Sequence, residues 1–302
     1  MTQIIIHIGA PRTGTTVLQK HLFPQAKGVH IVSKKAYEAS HLVGNKSKPG
    51  IAFSNAQDLR QILINADPNK DKLLYFRAMM TALGGISRNK PPKEFEELVE
   101  ISLSRIANIF HAKPVLISSE RLSDNSASLR GDSRHTKTDT QFGVYSLAAT
   151  ATKALKTSCK IVLCLRHPIE YLRSKYIRTT IQRNNQSLRS LRPAEYIQKQ
   201  STLEANSPGN SALTPAMHSE YIKRLQDHAF VKAFGFQELL STDDAFSLMG
   251  LQGEGKCAFR DFPRENKLPF TKDQEQAIEI EITQALKQYG FYDRIMKAQM
   301  FE

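Results

Sequence analysis

Short apolar runs alternate along this chain with longer stretches in which apolar residues recur at helical spacing. The apolar runs are rich in β-branched residues without polar alternation, and they lie at 3–8, 113–118, 160–165 and 229–236. Such runs predict strands that are buried on both faces, as in a parallel sheet. The stretches of helical spacing predict helices over 15–23, 56–66, 73–83, 94–110, 142–155, 168–183, 218–228 and 271–289.

The alternation of strands with helices predicts the fold class. It favours an α/β fold with a P-loop-like, doubly wound parallel sheet flanked by helices, and more helix than strand. A length of 302 residues suits a single α/β domain that covers 1–302. Two polar segments, 121–140 and 184–216, interrupt the pattern. Both are predicted to be loops or inserts.

Composition narrows the function classes. The chain has 42 Lys and Arg against 29 Asp and Glu, a net charge of +13 that suits a polyanionic ligand. It carries no zinc-finger or RNA-recognition signature, so nucleic acid is not an expected partner. Cys159, Cys164 and Cys257 are odd in number and lack metal-ligand spacing, which favours a reducing compartment. Without a long apolar run or a signal peptide, the chain is expected in the cytoplasm with no membrane span.

The segment between the first strand and the first helix is typical of a phosphate-binding loop. Gly9 and Gly14 let the backbone approach a ligand, and the amides that begin the next helix favour an anion. Thr15 and Thr16 add hydroxyl donors. Thr15 stands where a Walker A loop has its Lys, and Arg12 supplies a cation inside the loop instead. No later strand ends in an Asp suited to Mg²⁺, so the loop predicts a phosphate ester bound without metal.

The segment HIGAPRTGTTVLQ, residues 7–19, resembles the 5′-phosphosulfate-binding loop of the sulfotransferases that use 3′-phosphoadenosine 5′-phosphosulfate (PAPS). The resemblance implies that the loop binds this sulfate donor and that Arg12 is also catalytic. The donor-binding residues that it implies are Gly9, Pro11, Arg12, Thr13, Gly14, Thr15 and Thr16.

A second segment, residues 160–178, resembles the other signature of the same family. A strand ends in Arg166, Pro168 follows, and Ser174 lies eight positions after the arginine. The resemblance implies that Arg166 and Ser174 bind the 3′-phosphate of the nucleotide. Arg166 follows a strand at the edge where α/β folds bind ligands, and its guanidinium can contact a phosphate through two hydrogen bonds. A surface charge and a solvated helix serine are the alternative interpretations.

The reaction that the resemblance implies is the metal-independent, in-line transfer of a sulfuryl group to a hydroxyl or amine, with 3′,5′-adenosine bisphosphate as product. The expected acceptor is a carbohydrate or another small metabolite, and we expect the polar segments 121–140 and 184–216 to form its pocket. The leading candidate for the general base is Glu120, just after the strand 113–118. An ion pair or a helix N-terminus could equally explain Glu120, and His30 and Glu38 stay open as bases. Three basic residues could cover the nucleotide, namely Lys256, Arg260 and Arg264.

Two other functions remain open at this point. A P-loop kinase or NTPase with a degenerate loop would need a Lys near the phosphates and an Asp for Mg²⁺. A non-catalytic nucleotide-binding scaffold on the same fold would need neither a base nor an acceptor.

Overall fold

A computed structural model describes most of the predicted elements. The residues that it describes are 3–9, 18–23, 26, 28–33, 56–68, 70–71, 74–76, 78–79, 81–82, 92–110, 113–119, 122, 143–156, 159–206, 208, 211–235, 238, 243–251 and 270–297.

Five strands form a single sheet in which all neighbours are parallel, in the order β2-β3-β1-β4-β5. The strands are β1 Ile4–Gly9, β2 His30–Val32, β3 Val115–Ser118, β4 Lys160–Leu165 and β5 Phe230–Gly235. The four predicted strands and the α/β class are confirmed. The short edge strand β2 was not predicted, because three residues are too few to show a periodic pattern.

Helices outnumber strands in the described part of the chain. They are α1 Ala56–Asn65, α2 Pro92–Ile109, α3 Gly143–Leu155, α4 Pro168–Asn185, α5 Pro193–Asn206, α6 Leu213–Ala216, α7 His218–Gln226, α8 Asp243–Leu248, α9 Lys272–Gln288 and α10 Tyr292–Met296, with a π-helical turn over Leu18–Leu22. Residues 74–76, 78–79 and 81–82 are helical as well. Apart from 15–23, where the described residues form a π-helical turn, the predicted helices are confirmed over the residues described. None of these helices is long and apolar enough to cross a membrane.

The two faces of the sheet are covered by different layers. Side chains of a strand alternate between faces, so Ile4 and Ile6 pack with residues of α1, α2, α3 and α7. On the opposite face, Ile5 packs with Leu18 and Phe23 of the first helical turn and with α8. Apolar layers on both faces explain why the strands read as continuous apolar runs.

A third group of helices extends this core. Helices α4, α5, α6, α9 and α10 share their own cluster of buried apolar side chains. Arg173 on α4 is only 15% exposed and pairs with two carboxylates of α9, at 3.1 Å from Glu275 and 2.8 Å from Glu279. These ion pairs fix α4, the helix that follows β4, against the C-terminal helices.

The prediction that 184–216 forms a loop is wrong, because most of the segment is helical. Helix α5 begins with Pro193, whose fixed φ suits a first helical position. Its buried face carries polar side chains, among them Gln200, Ser201 and Glu204. Because three buried positions are polar, the apolar period that predicts a helix from sequence is missing here.

Candidate functional site

The carboxyl ends of three neighbouring strands meet at one edge of the sheet. Gly9, which ends β1, is level with Cys164 of β4, and His7 is level with Ser118, which ends β3. Arg166 follows β4 directly. Since β3 and β4 flank β1 on opposite sides, the predicted phosphate loop begins at the middle of the sheet. Open α/β sheets bind ligands at such an edge.

Arg166 is held by an ion pair at the start of α4. Its Nε donates to Oε2 of Glu170, one helical turn later, and the two side chains are 25% and 42% exposed. A partly exposed pair of this kind contributes at most about 1 kcal/mol to stability. The guanidinium can therefore exchange this carboxylate for a more highly charged anion such as a phosphate dianion.

Ser174 lies on α4 and is only 3% exposed. It follows Glu170 by four positions, so both residues lie on the same face of the helix, about 6 Å apart along its axis. The interpretation of Ser174 as a solvated helix serine is therefore wrong. Arg166, Glu170 and Ser174 together form one line of polar side chains that leads from the end of β4 along α4.

His218 is a residue of this edge to which sequence reasoning assigned no role. It begins α7, is 3% exposed, and its imidazole donates to the backbone carbonyl of Arg166. Burial, and secondarily the charge of nearby His167, lower its pKa to about 4, against the effect of that hydrogen bond. His218 is therefore neutral near pH 7. It fixes the backbone at Arg166 without adding positive charge.

A buried polar network lies beneath the start of the predicted loop. Oγ of Ser118 lies 2.9 Å from Nδ1 of His7 and 2.9 Å from Nε2 of Gln19, which donates to it. All three residues are at most 4% exposed. Burial lowers the pKa of His7 to about 4, so its imidazole is neutral near pH 7. The sequence signal for this network is a single polar residue inside an apolar strand, and it does not identify the partners of that residue.

His30 lies at the opposite edge of the sheet. It begins β2 level with Val115, which is in turn level with Ile4 at the amino end of β1. Five strand residues at about 3.3 Å each separate this level from Gly9, or about 17 Å. The imidazole stacks on Phe110 at 4.0 Å between ring centroids. The structure therefore does not bring His30 together with Gly9 and Arg166.

Several predicted site residues lie outside the described part of the chain, and so does the polar segment 121–140 apart from Leu122. They are Pro11, Arg12, Thr13, Gly14, Thr15, Thr16, Glu38, Glu120, Lys256, Arg260 and Arg264. Of the predicted nucleotide-binding residues, the structure describes Gly9, Arg166 and Ser174. It brings the carboxyl end of β1 beside the strand that leads to Arg166, while Ser174 follows on α4.

No three His, Cys, Asp or Glu side chains among the described residues are placed to hold one metal ion. Comparison of the whole chain with protein-family models, with curated proteins and with solved structures finds no match. The functional interpretation of this edge therefore depends on its own residues and their chemistry.

Proposed function

We propose that this protein is a PAPS-dependent sulfotransferase that transfers a sulfuryl group to a hydroxyl or amine of a small metabolite or glycan. One observation carries the proposal: the register of Gly9 with Cys164 sets the first residue of the predicted phosphate loop beside the strand that leads into Arg166. A nucleotide with phosphates at both its 5′ and 3′ positions needs two anion-binding elements at one edge of the sheet.

The described residues fit the 3′-phosphate end of such a nucleotide. Arg166 has a partly exposed guanidinium and an exchangeable carboxylate partner. Ser174 supplies a hydroxyl on the helix that Arg166 precedes. His218 hydrogen-bonds the backbone carbonyl of Arg166. A bidentate arginine held from its backbone is a suitable group for recognising a phosphate monoester.

The remaining roles belong to residues identified from sequence. When bound, PAPS supplies an activated sulfuryl group attached to a good leaving phosphate. We expect Arg12 and the amides of the loop to hold the 5′-phosphosulfate and to stabilise charge that develops on it. We expect Glu120 to take the proton of the acceptor. Ser119, its neighbour in the chain, is hydrogen-bonded to the carbonyl of His7 at 3.4 Å, which ties this strand end to β1.

The test is calorimetric titration with 3′,5′-adenosine bisphosphate, beside ADP with and without Mg²⁺. The proposal requires tight binding of the bisphosphate without metal and much weaker binding of ADP. Preference for Mg·ADP would contradict it and favour a P-loop kinase or NTPase. Tight binding of the bisphosphate without sulfuryl transfer to any of a panel of hydroxylated and amino acceptors would favour the non-catalytic scaffold.

Two variants then test separately the residues proposed to bind the 5′ and 3′ ends of the nucleotide. Arg12→Ala is expected to abolish transfer from PAPS, since it removes the cation of the loop. Arg166→Ala is expected to lower the affinity for 3′,5′-adenosine bisphosphate by about 10-fold to 100-fold, the range expected for a lost charge-assisted contact. Its affinity for 5′-AMP should change little. Unchanged affinity of Arg166→Ala for the bisphosphate would remove Arg166 from the 3′-phosphate site.

A further inference from the structure

We infer that Ser118 is a positioning residue: its hydroxyl joins His7 on β1 to Gln19 on the first helical turn, the two segments that flank the predicted phosphate loop. The inference rests on the proposed function for its consequence, namely that this connection sets the affinity for the 5′-phosphate end of the nucleotide. Ser118 itself need not contact the nucleotide.

The position of the hydroxyl supports this role. Ser118 is the last residue of β3, His7 lies two residues before the end of β1, and Gln19 lies in the turn Leu18–Leu22. Both partners of Oγ are at 2.9 Å, within the range of good hydrogen bonds. One oxygen atom on a neighbouring strand thus links the chain before residues 10–16 to the chain after them.

The proton arrangement makes Ser118 central to the network. Gln19 Nε2 donates to Oγ, and the hydroxyl has one proton of its own to donate. Nδ1 of neutral His7 can accept that proton, and Nε2 of His7 has no hydrogen-bond partner among the described residues. Removing the hydroxyl would strand a buried amide donor and a buried ring nitrogen together.

Packing alone does not account for the three polar side chains. The surrounding cluster is apolar and includes Ile5, Leu18, Phe23 and Leu116. His7 also meets the ring of Phe23 edge-on, with ring centroids 5.6 Å apart. Apolar residues would fill this space without the cost of desolvating polar groups. Hydrogen bonds, unlike apolar contacts, fix the direction in which two segments of the chain face each other. The network therefore fixes the position of β1 relative to the turn Leu18–Leu22 more strictly than apolar packing would.

The experiment compares Ser118→Ala with Ser102→Ala by calorimetric titration of 5′-AMP and 3′,5′-adenosine bisphosphate. Ser102 is a matched control, because it is a fully buried serine on α2 that takes no part in the network of His7, Ser118 and Gln19. Ser118→Ala is expected to lower the affinity for both nucleotides by about 10-fold, consistent with one or two lost buried hydrogen bonds. The ratio of the two affinities should stay constant, because the 3′-phosphate site is untouched. Ser102→Ala should bind both nucleotides as the wild type does.

A second variant covers the case in which Ser118→Ala does not fold. Gln19→Met keeps the length of the side chain and removes only one partner of the hydroxyl. Gln19→Met should also lower the affinity for both nucleotides, with the ratio of the two affinities unchanged. If both variants fold, the double variant should lose no more affinity than either one, because the three groups act as a unit.

The possible outcomes distinguish a failure of this inference from a failure of the proposed function. A folded Ser118→Ala variant with wild-type affinity for both nucleotides but a lower melting temperature would overturn the inference, since Ser118 would then be purely structural. A loss confined to 3′,5′-adenosine bisphosphate would overturn it as well, because it would place the effect at Arg166. If the wild-type protein binds neither nucleotide, the proposed function fails first, and this inference falls with it.

Discussion

Arg166 and Glu170 form an ion pair across the first turn of α4, at the edge of the sheet where Gly9 ends the central strand. The carboxylate of Glu170 accepts a hydrogen bond from Nε of Arg166. Under the proposed function, a 3′-phosphate must compete with Glu170 for the same guanidinium. Under that function, we expect Glu170 to limit the affinity of this guanidinium for the 3′-phosphate.

We expect Glu170→Gln to bind 3′,5′-adenosine bisphosphate about 3-fold to 10-fold more tightly, because it frees Arg166 and removes a negative charge near the phosphate dianion. Affinity for 5′-AMP should change little, and the difference should shrink at high salt. Calorimetric titration at two salt concentrations measures this. Glu195→Gln, which breaks the ion pair with Arg189, is the matched control. Weaker binding by Glu170→Gln would instead mean that Glu170 orients the guanidinium for the phosphate.

The two buried histidines predict an acid-sensitive fold. The pKa values of His7 and His218 are lowered from 6.5 to about 4 by burial. Between these values the unfolded chain binds protons that the folded protein does not, so the free energy of unfolding rises with pH. The contribution is complete above pH 6.5 and is lost as the pH falls toward 4, by up to about 3 kcal/mol for each histidine.

Urea unfolding from about pH 7 down to about pH 4 measures this dependence. The variant His7→Asn/His218→Asn should show a shallower slope than the wild type, because neither asparagine titrates. Carboxylates contribute to the slope equally in both proteins, so the difference isolates the histidines. Identical slopes would contradict the assignment of these two groups.

Arg173 is expected to be important for stability and not for nucleotide binding. Arg173→Met leaves Glu275 and Glu279 facing α4 without a cation, and the expected loss is about 2–4 kcal/mol in the free energy of unfolding. Arg178→Met, on the exposed side of the same helix, should stay within about 0.5 kcal/mol. Adding Glu275→Gln and Glu279→Gln to Arg173→Met should recover much of the loss. No recovery would mean that the arginine acts through its packing.

Glu204 is expected to hold α5 to α6. Its Oε2 accepts hydrogen bonds from Ser211 at 2.5 Å and from Thr214 at 2.6 Å, and the residue is 4% exposed. Glu204→Leu strands both hydroxyls and should reduce the free energy of unfolding by about 2–4 kcal/mol. Glu204→Gln keeps an acceptor oxygen and should lose less. Chemical unfolding compares both with Thr202→Ala, an exposed change on the same helix, and equal losses for Leu and Gln would contradict this account.

The observed elements agree with the sequence prediction where burial in the tertiary structure leaves a local pattern in the sequence. Lys160–Leu165 is β4 as predicted, because a strand buried on both faces must be apolar throughout. The predicted order of the elements is also correct here, since Arg166 lies between β4 and α4 and Ser174 lies in the second turn of α4. Helix α5 was missed, because Gln200, Ser201 and Glu204 are buried through hydrogen bonds, and such partners leave no periodic trace.

The amino-acid sequence alone was enough to predict four of the five described strands, the longer described helices apart from α5, and the α/β class, since hydrophobic periodicity acts over short distances. The tertiary structure was needed to show which side chains distant in the sequence meet. It brought His218 against the carbonyl of Arg166 and set Ser118 between His7 and Gln19. It also separated His30 from the carboxyl edge. These relationships depend on how strands and helices pack, which at Ser118 joins residues 99 and 111 positions apart, and no local pattern encodes such contacts.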